Sequence, residues 1–175
     1  KIFIVPSLPI TAYCSLITCL GHRTIFRALI CLSILCLICT QGLAGVTTRV
    51  SVASDGTQGN DVSHYSSISH DGRYVAFDSY ASNLAAGDTN GKKDVFVHDR
   101  QTGITARVSI ASDGAQADAD SFGASISADG RYVVFISQAT NLTPGDTNGK
   151  WDVFVHDRET GTTERVSVSS DGTQG

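Results

Sequence analysis

Two octapeptides carry the densest set of oxygen ligands in this chain, Gly87-Asp88-Thr89-Asn90-Gly91-Lys92-Lys93-Asp94 and Gly145-Asp146-Thr147-Asn148-Gly149-Lys150-Trp151-Asp152. Counted from the first Asp, side-chain oxygens at positions one, three and seven around a glycine suit a calcium loop, in which a hard cation gathers carboxylate, amide and backbone oxygens. Asp88, Asn90, Asp94, Asp146, Asn148 and Asp152 are therefore the candidate calcium ligands. Two positions fit poorly. The fifth is Lys92 or Lys150, where such a loop wants an oxygen, and the twelfth is Asp99 or Asp157, with a shorter reach than glutamate. The competing expectation is an Asn-stabilised turn, with Asn-Gly reversing the chain and Asp94 capping it.

Other reactive side chains point to no catalysis. His98 and His156 sit at equivalent repeat positions and need not converge, whereas a histidine metal site needs several ligands in one place. His64 and His70 have no counterpart in the second copy. No Gly-x-Ser-x-Gly elbow and no phosphate-binding Gly-rich loop before a helix occurs. All five cysteines lie before residue 40, so the body has neither a thiol nucleophile nor a disulfide framework. No catalytic residue and no obligatory cofactor is expected. Asn141-Leu142-Thr143 matches a glycosylation sequon by chance, since Pro144 follows and the other repeat lacks it.

These loops belong to a repeat. Arg49–Ala106 and Arg107–Glu164 align without a gap and agree at 38 of 58 positions, and a third copy opens at Arg165 and runs to Gly175. A fixed period of this length marks units that bury their apolar faces only by stacking on neighbours. Each period holds four strand-like runs; in the first copy they are 66–69, 73–79, 94–98 and 104–111. Tyr74-Val75-Ala76-Phe77 and Val95-Phe96-Val97 are rich in the residue types that fit a pleated surface. Their apolar positions are consecutive, which implies sheets covered on both faces. Asp71-Gly72 and Asp129-Gly130 suit tight type I′ hairpins. Residues 99–103 and 157–161 suit longer hairpin loops closed by a left-handed Gly. The expected fold class is all-β, a β-propeller with two complete four-stranded antiparallel blades at 63–112 and 121–170. An orphan outer strand at 46–54 matches the fourth strand of the repeat, and 171–175 begin another unit. Together they make about a third of a ring of six to eight blades.

The first segment differs in kind. Residues 1–45 carry Lys1, Arg23 and Arg27 and no acid, a charge of +3, while the remaining residues hold 10 basic and 17 acidic side chains, a net of −7. Arg23 and Arg27 precede the apolar run 28–39, and Gly42-Leu43-Ala44 offers a small-residue cleavage site. Residues 1–44 are expected to be an export signal or, uncleaved, a membrane anchor, with 1–20 a candidate for untranslated upstream sequence. The acidic body is a poor ligand for nucleic acid, whose phosphates call for Lys and Arg.

Ile68-Ser69-His70-Asp71-Gly72-Arg73-Tyr74-Val75-Ala76-Phe77 and Ile126-Ser127-Ala128-Asp129-Gly130-Arg131-Tyr132-Val133-Val134-Phe135 resemble the core motif of TolB-type, WD-like propeller repeats, as does Asp-Val-Phe-Val-His-Asp at 94–99 and 152–157. The family usually has Pro before the Asp-Gly; His70 and Ala128 depart from that in the turn, not in the packing. The resemblance spans nearly all of 46–175. It implies an exported, bacterial-type protein, periplasmic or extracellular, that binds a protein, envelope or polysaccharide partner. Two other functions remain open: an accessory propeller of a hydrolase whose catalytic domain lies beyond residue 175, and a calcium-stabilised structural module.

Charges that recur with the period, Arg73/Arg131, Arg49/Arg107/Arg165 and Asp55/Asp113/Asp171, are expected to be blade-to-blade ion pairs or turn constraints. A binding site is expected where the copies disagree: 60–65 against 118–123, Asp78/Ile136, Tyr80/Gln138 and Lys93/Trp151. Trp151, Lys93 and Tyr80 are the candidate partner-binding residues. Trp151, the single tryptophan, would serve as an aromatic anchor or pack beneath its loop.

Overall fold

The computed structural model describes residues 46–174, and the segment expected to be a signal or anchor lies outside them. The regular structure described there is all strand. β1 (Ser63–Ile68), β2 (Tyr74–Ser79), β3 (Asp94–Asp99) and β4 (Thr105–Arg107) form one antiparallel meander. β5 (Ser121–Ile126), β6 (Tyr132–Ser137), β7 (Asp152–Asp157) and β8 (Thr162–Arg165) form the second. Each is the four-stranded blade of a propeller. The blades share one register: Phe77 opposes Phe96 and Phe135 opposes Phe154, with ring centroids 5.9 and 5.8 Å apart.

Strand alternation decides what each face meets. Along β2, Tyr74, Ala76 and Asp78 point to the second blade, and Val75, Phe77 and Ser79 point away. Ala76, Val95 and Val97 of the first blade join Ala124, Ile126, Val133, Phe135 and Phe154 of the second in one core. Phe77 and Phe96 build a smaller core with Ala81 and Leu84 under the loop on the other face. Every residue of β3 is buried, as the consecutive apolar pattern requires of a doubly covered strand. On β6, with no blade beyond it among the described residues, Tyr132 and Val134 are exposed while Val133 and Phe135 are buried.

Several local expectations need correction. The turns at Asp71-Gly72 and Asp129-Gly130 are not type I′, because neither Asp has a positive φ. Each is a four-residue loop between Ser69 and Tyr74 or Ser127 and Tyr132, with an inner bond from Gly72 N to Ser69 O or Gly130 N to Ser127 O at 2.9 Å and the Gly alone left-handed. The serine enforces it: its hydroxyl donates to the Asp and accepts the amide of Tyr74 or Tyr132 at 2.9 Å. The fourth strand is short, because after Arg107 the chain turns into a link pinned by the isolated bridge Ile110–Gln116. Residues 46–54, expected as an orphan outer strand, take no strand conformation; only the isolated bridge Val52–Gln58 forms there. Their equivalents in β4 are held by β3 (His98 opposite Thr105), and no such neighbour exists for 47–49 among the described residues.

The repeating arginines also work within blades rather than between them. Arg73 forks onto Asp99 (Nε–Oδ1 3.0 Å, Nη2–Oδ2 2.7 Å), and Arg131 onto Asp157 (3.0 and 2.6 Å). Asp55, Asp113 and Asp171 are turn constraints, each accepting the amide two residues on. The arginine bond holds the carboxyls of Asp99 and Asp157 well below the usual carboxylate range. A carboxyl depressed in the folded state stabilises above its unfolded pKa and loses that contribution as pH falls towards its folded value. The melting temperature is therefore expected to drop as pH goes below about 4. An Asp99→Asn/Asp157→Asn variant should melt lower at neutral pH and show a shallower acid decline, and equal acid slopes in the two proteins would refute the assignment.

His98 and His156 are buried and tie the link to the blade. Nδ1 of each meets the hydroxyl of Thr105 or Thr163 at 2.8 and 2.9 Å, and that hydroxyl donates to Val52 O or Ile110 O at 2.5 Å. The hydroxyl has a single proton, so the ring nitrogen must donate, which puts a proton on Nδ1 and fixes the Nδ1–H tautomer of the neutral imidazole. Burial lowers both histidine pKa values, in keeping with that form.

Candidate functional site

The two octapeptides fold into loops whose acids close on an arginine. Arg107 Nη1 lies 3.1 Å from Asp88 Oδ1 and 3.2 Å from Asp94 Oδ2, with the three side chains 9%, 3% and 0% exposed. Asp94 also accepts Ser109 Oγ at 2.5 Å and Asn90 Nδ2 at 2.9 Å. Asp94 is thus a buried hub and not the cap expected of it. Asn90 makes the expected turn, its Oδ1 accepting Lys92 N at 3.0 Å, with Gly91 left-handed. Gln116 completes the knot by accepting Arg107 Nη1 at 3.0 Å and donating to Gly87 O at 2.9 Å. In the second blade Arg165 meets Asp146 at 3.0 Å and Asp152 at 3.8 Å, and Asn148 Oδ1 accepts Lys150 N at 2.9 Å. Asp88 and Asp94 thus gather on Arg107 with Asn90 bonded to Asp94, and Asp146 and Asp152 gather on Arg165, so the centre of each cluster is a guanidinium. Asn90 turns a donor, not an oxygen, inward. Burial raises the carboxyl pKa values of Asp94 and Asp146 despite the arginines. Among the described residues no group of three or more acids, histidines or cysteines is arranged to hold a metal.

Several residues that differ between the repeats gather at one end of the blades, where β1 and β3 begin and β2 ends, while others, such as His70/Ala128 and Gln101/Glu159, lie in turns at the opposite end. Lys93 is at the centre. Its Nζ is 2.5 Å from Asp78 Oδ2, the two side chains being 12% and 0% exposed. It also lies 5.4, 5.6 and 5.7 Å from the ring centroids of Tyr65, Tyr80 and Phe122, within cation–π range. Trp151 packs edge-on against Phe122 at 5.0 Å. Asp120 fastens the two blades by accepting Lys93 N at 3.0 Å and Tyr80 OH at 3.4 Å. Asp78 Oδ1 accepts Gly123 N at 3.3 Å. Of the three candidate partner-binding residues, Trp151 (49% exposed) and Tyr80 (45%) face solvent, whereas Lys93 is turned inward and neutralised.

Tyr65 is the residue the three-residue list lacked. It is 68% exposed and has a φ of 41°, making it the one positive-φ non-glycine among the described residues. It occupies the bulge where β1 slips register against β2; the matching bulge in β5 has Gly123 at φ 71°. A non-glycine there costs about 1–2 kcal/mol, and such strain collects at functional positions. The sequence signal was the Tyr65/Gly123 mismatch itself. A Tyr65→Gly variant is expected to melt at or above the parent while presenting less aromatic surface. A melting temperature that falls by several degrees would show the ring to be a packing element instead.

Chemically this end offers exposed aromatic rings around a neutralised ion pair. It suits stacking against flat apolar faces and short hydrogen bonds from phenolic hydroxyls. A cleft of about 240 Å³ lies at the opposite end, lined by Tyr74, Asp129, Gly130, Arg131, Arg158 and Glu159. Its charges are engaged within the fold: Arg131 with Asp157 and Glu159, and Arg158 with Gly130 O and the ring of Tyr74.

No known family model matches the sequence, and no curated protein does. Solved structures similar to it include a putative TolB from Agrobacterium tumefaciens, at 17% identity and TM-score 0.43 over 62% of this chain and 31% of that one. TolB from Acinetobacter baumannii is another, at 21% identity and TM-score 0.38 over 66% and 25%. The chain thus spans about a third of the first protein and a quarter of the second.

Proposed function

We propose that this chain is a non-catalytic, exported propeller module that binds an envelope partner, a polysaccharide or a protein, through the aromatic end of its blades. The observation that supports it is the convergence of five divergent residues. Shared positions build the blades, while Tyr65, Tyr80, Lys93, Phe122 and Trp151, which break the repeat, meet in one place and leave three rings exposed. Scattered divergence would have left these rings on different surfaces. Exposed aromatics clustered on a rigid scaffold are the usual anchors of recognition.

Trp151 is both a candidate anchor and the single tryptophan, so its fluorescence reports on the site directly. Titration with isolated peptidoglycan fragments or soluble envelope polysaccharide is expected to shift Trp151 emission saturably. Trp151→Ala and Tyr80→Ala should each weaken co-sedimentation with sacculi about tenfold or more, on the scale of a hot-spot residue. Unchanged emission against both glycans and an envelope protein extract, with wild-type retention by the two variants, would overturn the assignment.

A further inference from the structure

We infer that the aromatic end takes an uncharged β-1,4-linked pyranose chain, one sugar of which enters a gap over Gly123 beside Trp151, an assignment that rests on the binding role proposed above. The gap follows from the two strand bulges. In the first blade the left-handed bulge residue is Tyr65, whose ring centroid lies 5.4 Å from Lys93 Nζ. In the second blade the same two repeat positions hold Gly123 and Trp151. The bulge is kept, with Gly123 at φ 71°, but the ring is missing. Gly123 is exposed, and a Cβ there would meet only Ile136 Cδ1 at 3.9 Å. Trp151 therefore has open space where Lys93 has a tyrosine.

Both sides of the gap are built. On one stand Trp151 and Phe122, with ring centroids 5.0 Å apart. On the other, the Gly123 amide donates to Asp78 Oδ1 at 3.3 Å, which brings in the Asp78–Lys93 pair and Tyr80, 5.6 Å from Lys93 Nζ. Asp78, Tyr80, Lys93, Phe122 and Gly123 lie at the junction of the two blades, where both partners are present. Tyr80 is 45% exposed even with the second blade bonded to it through Asp120, so its availability is independent of any flanking repeat.

The chemistry left in the gap selects the ligand. Lys93 and Asp78 cancel. Asp120 beside them is half-buried and joins no ion pair among the described residues. Its Oδ1 accepts Lys93 N at 3.0 Å, while Oδ2 has only a long contact from Tyr80 OH at 3.4 Å and retains capacity to accept. Aromatic faces thus meet a carboxylate acceptor at their edge. In a β-1,4-linked chain of gluco-configured sugars every ring substituent is equatorial, so each unit has two flat C–H faces and a rim of hydroxyl or amide donors. Such faces stack on aromatic rings, and the rim donors suit an ionised acceptor. A uronic or phosphate-bearing polymer would set its own anions against Asp120. A protein partner buries a broader apolar core than a gap one ring wide provides.

Calorimetric titration of the full chain is expected to show saturable binding of N-acetylchitohexaose, cellohexaose or both, with a shift in Trp151 emission. The β-1,4-linked glucuronic acid hexamer, of the same shape but charged, should bind at least tenfold more weakly. Response to the acetylated hexamer alone would assign the acetamido N–H to Asp120, and response to both would assign ring hydroxyls. Gly123→Tyr fills the gap with the side chain that the first bulge already accommodates, and should weaken the hexasaccharide about tenfold or more with parent-like circular dichroism. If that variant misfolds, Asp120→Asn serves: it should weaken the neutral hexamer about fivefold, the scale of one hydrogen bond, and narrow the discrimination against the charged one. No binding of either neutral hexamer, undiminished binding by a folded Gly123→Tyr, or equal binding of the charged hexamer would each overturn the inference. Were sacculi or an envelope protein still to require Trp151 and Tyr80 in such a case, the binding role would stand and the ligand class alone would fall. Loss of nothing in Trp151→Ala and Tyr80→Ala would remove both.

Discussion

Replacing Arg107 by Ala is expected to cost about 3–5 kcal/mol, the range for breaking a buried ion pair from one side. Asp88 and Asp94 would remain in the interior with side chains 3% and 0% exposed and no cation between them. Against a domain stability of about 5–15 kcal/mol, that lowers the melting temperature by roughly 10–20 °C. Arg107→Lys should fall between the two, because an ammonium cannot span Asp88, Asp94 and Gln116 as the planar fork does. Arg165→Ala should cost less, since its second contact, to Asp152, is already 3.8 Å.

The pH dependence has a definite sign. Burial raises the Asp94 carboxyl above its unfolded value while Arg107 opposes that shift. Without the arginine it rises further. A carboxyl whose folded pKa exceeds its unfolded one favours folding when protonated, and that advantage disappears as pH rises from the unfolded value through the folded one. The difference in melting temperature between wild type and Arg107→Ala should therefore be smaller near pH 4 than at pH 7. Differential calorimetry across that interval checks it, and a gap independent of pH would mean that lost packing, not stranded charge, sets the cost.

Gly130→Ala and Gly72→Ala make the second large contrast. The two glycines share a turn type and nearly the same φ, 76° and 72°, so the backbone penalty of about 1 kcal/mol is common to both. Their surroundings differ. A Cβ on Gly72 meets nothing closer than Arg100 Nη1 at 3.6 Å, but one on Gly130 falls 2.8 Å from Tyr74 Cε2 and closer still to Cδ2. Tyr74 has little room to move, being held between the guanidinium groups of Arg73 and Arg158 at 4.7 and 4.2 Å. Overpacking of that kind adds about 1–3 kcal/mol, so Gly130→Ala should be destabilised by roughly 2–4 kcal/mol and Gly72→Ala by about 1. Equal losses on chemical denaturation would mean that the blade junction is softer than the contact implies.

Much of this molecule was legible before its coordinates. The period named the blade, and the consecutive apolar residues of β3 foretold a strand covered on both sides. Asn90-Gly91 foretold the loop reversal. What failed did so for identifiable reasons. Asp-Gly suggested a type I′ turn because the role of Ser69 and Ser127, whose hydroxyls draw the loop into a different closure, is not written in the dipeptide. The strand expected at 46–54 had the right residues and no partner, and strand propensity cannot supply one. The regular spacing of Arg73 and Arg107 suggested inter-blade pairs because period alone does not distinguish a contact within a unit from one between units. At the aromatic end, comparing the copies found Tyr80, Lys93 and Trp151. That Lys93 would be consumed by Asp78 depended on a cross-strand neighbour that only folding reveals.

The junction between the blades has a genetic corollary. Away from the aromatic end, its hydrogen bonds and ring contacts use backbone groups (His70 N to Ala128 O) or residues that the two 58-residue copies share: Ser67, Ile126, Tyr74, Gly130 and Arg158. Unequal crossing-over that adds or deletes one period therefore inserts or removes a whole blade with those contacts kept. The stacking surface is indifferent to copy number, while the aromatic end is exempt from that constraint and accumulates substitutions. Length and specificity in such an array can then evolve on separate clocks.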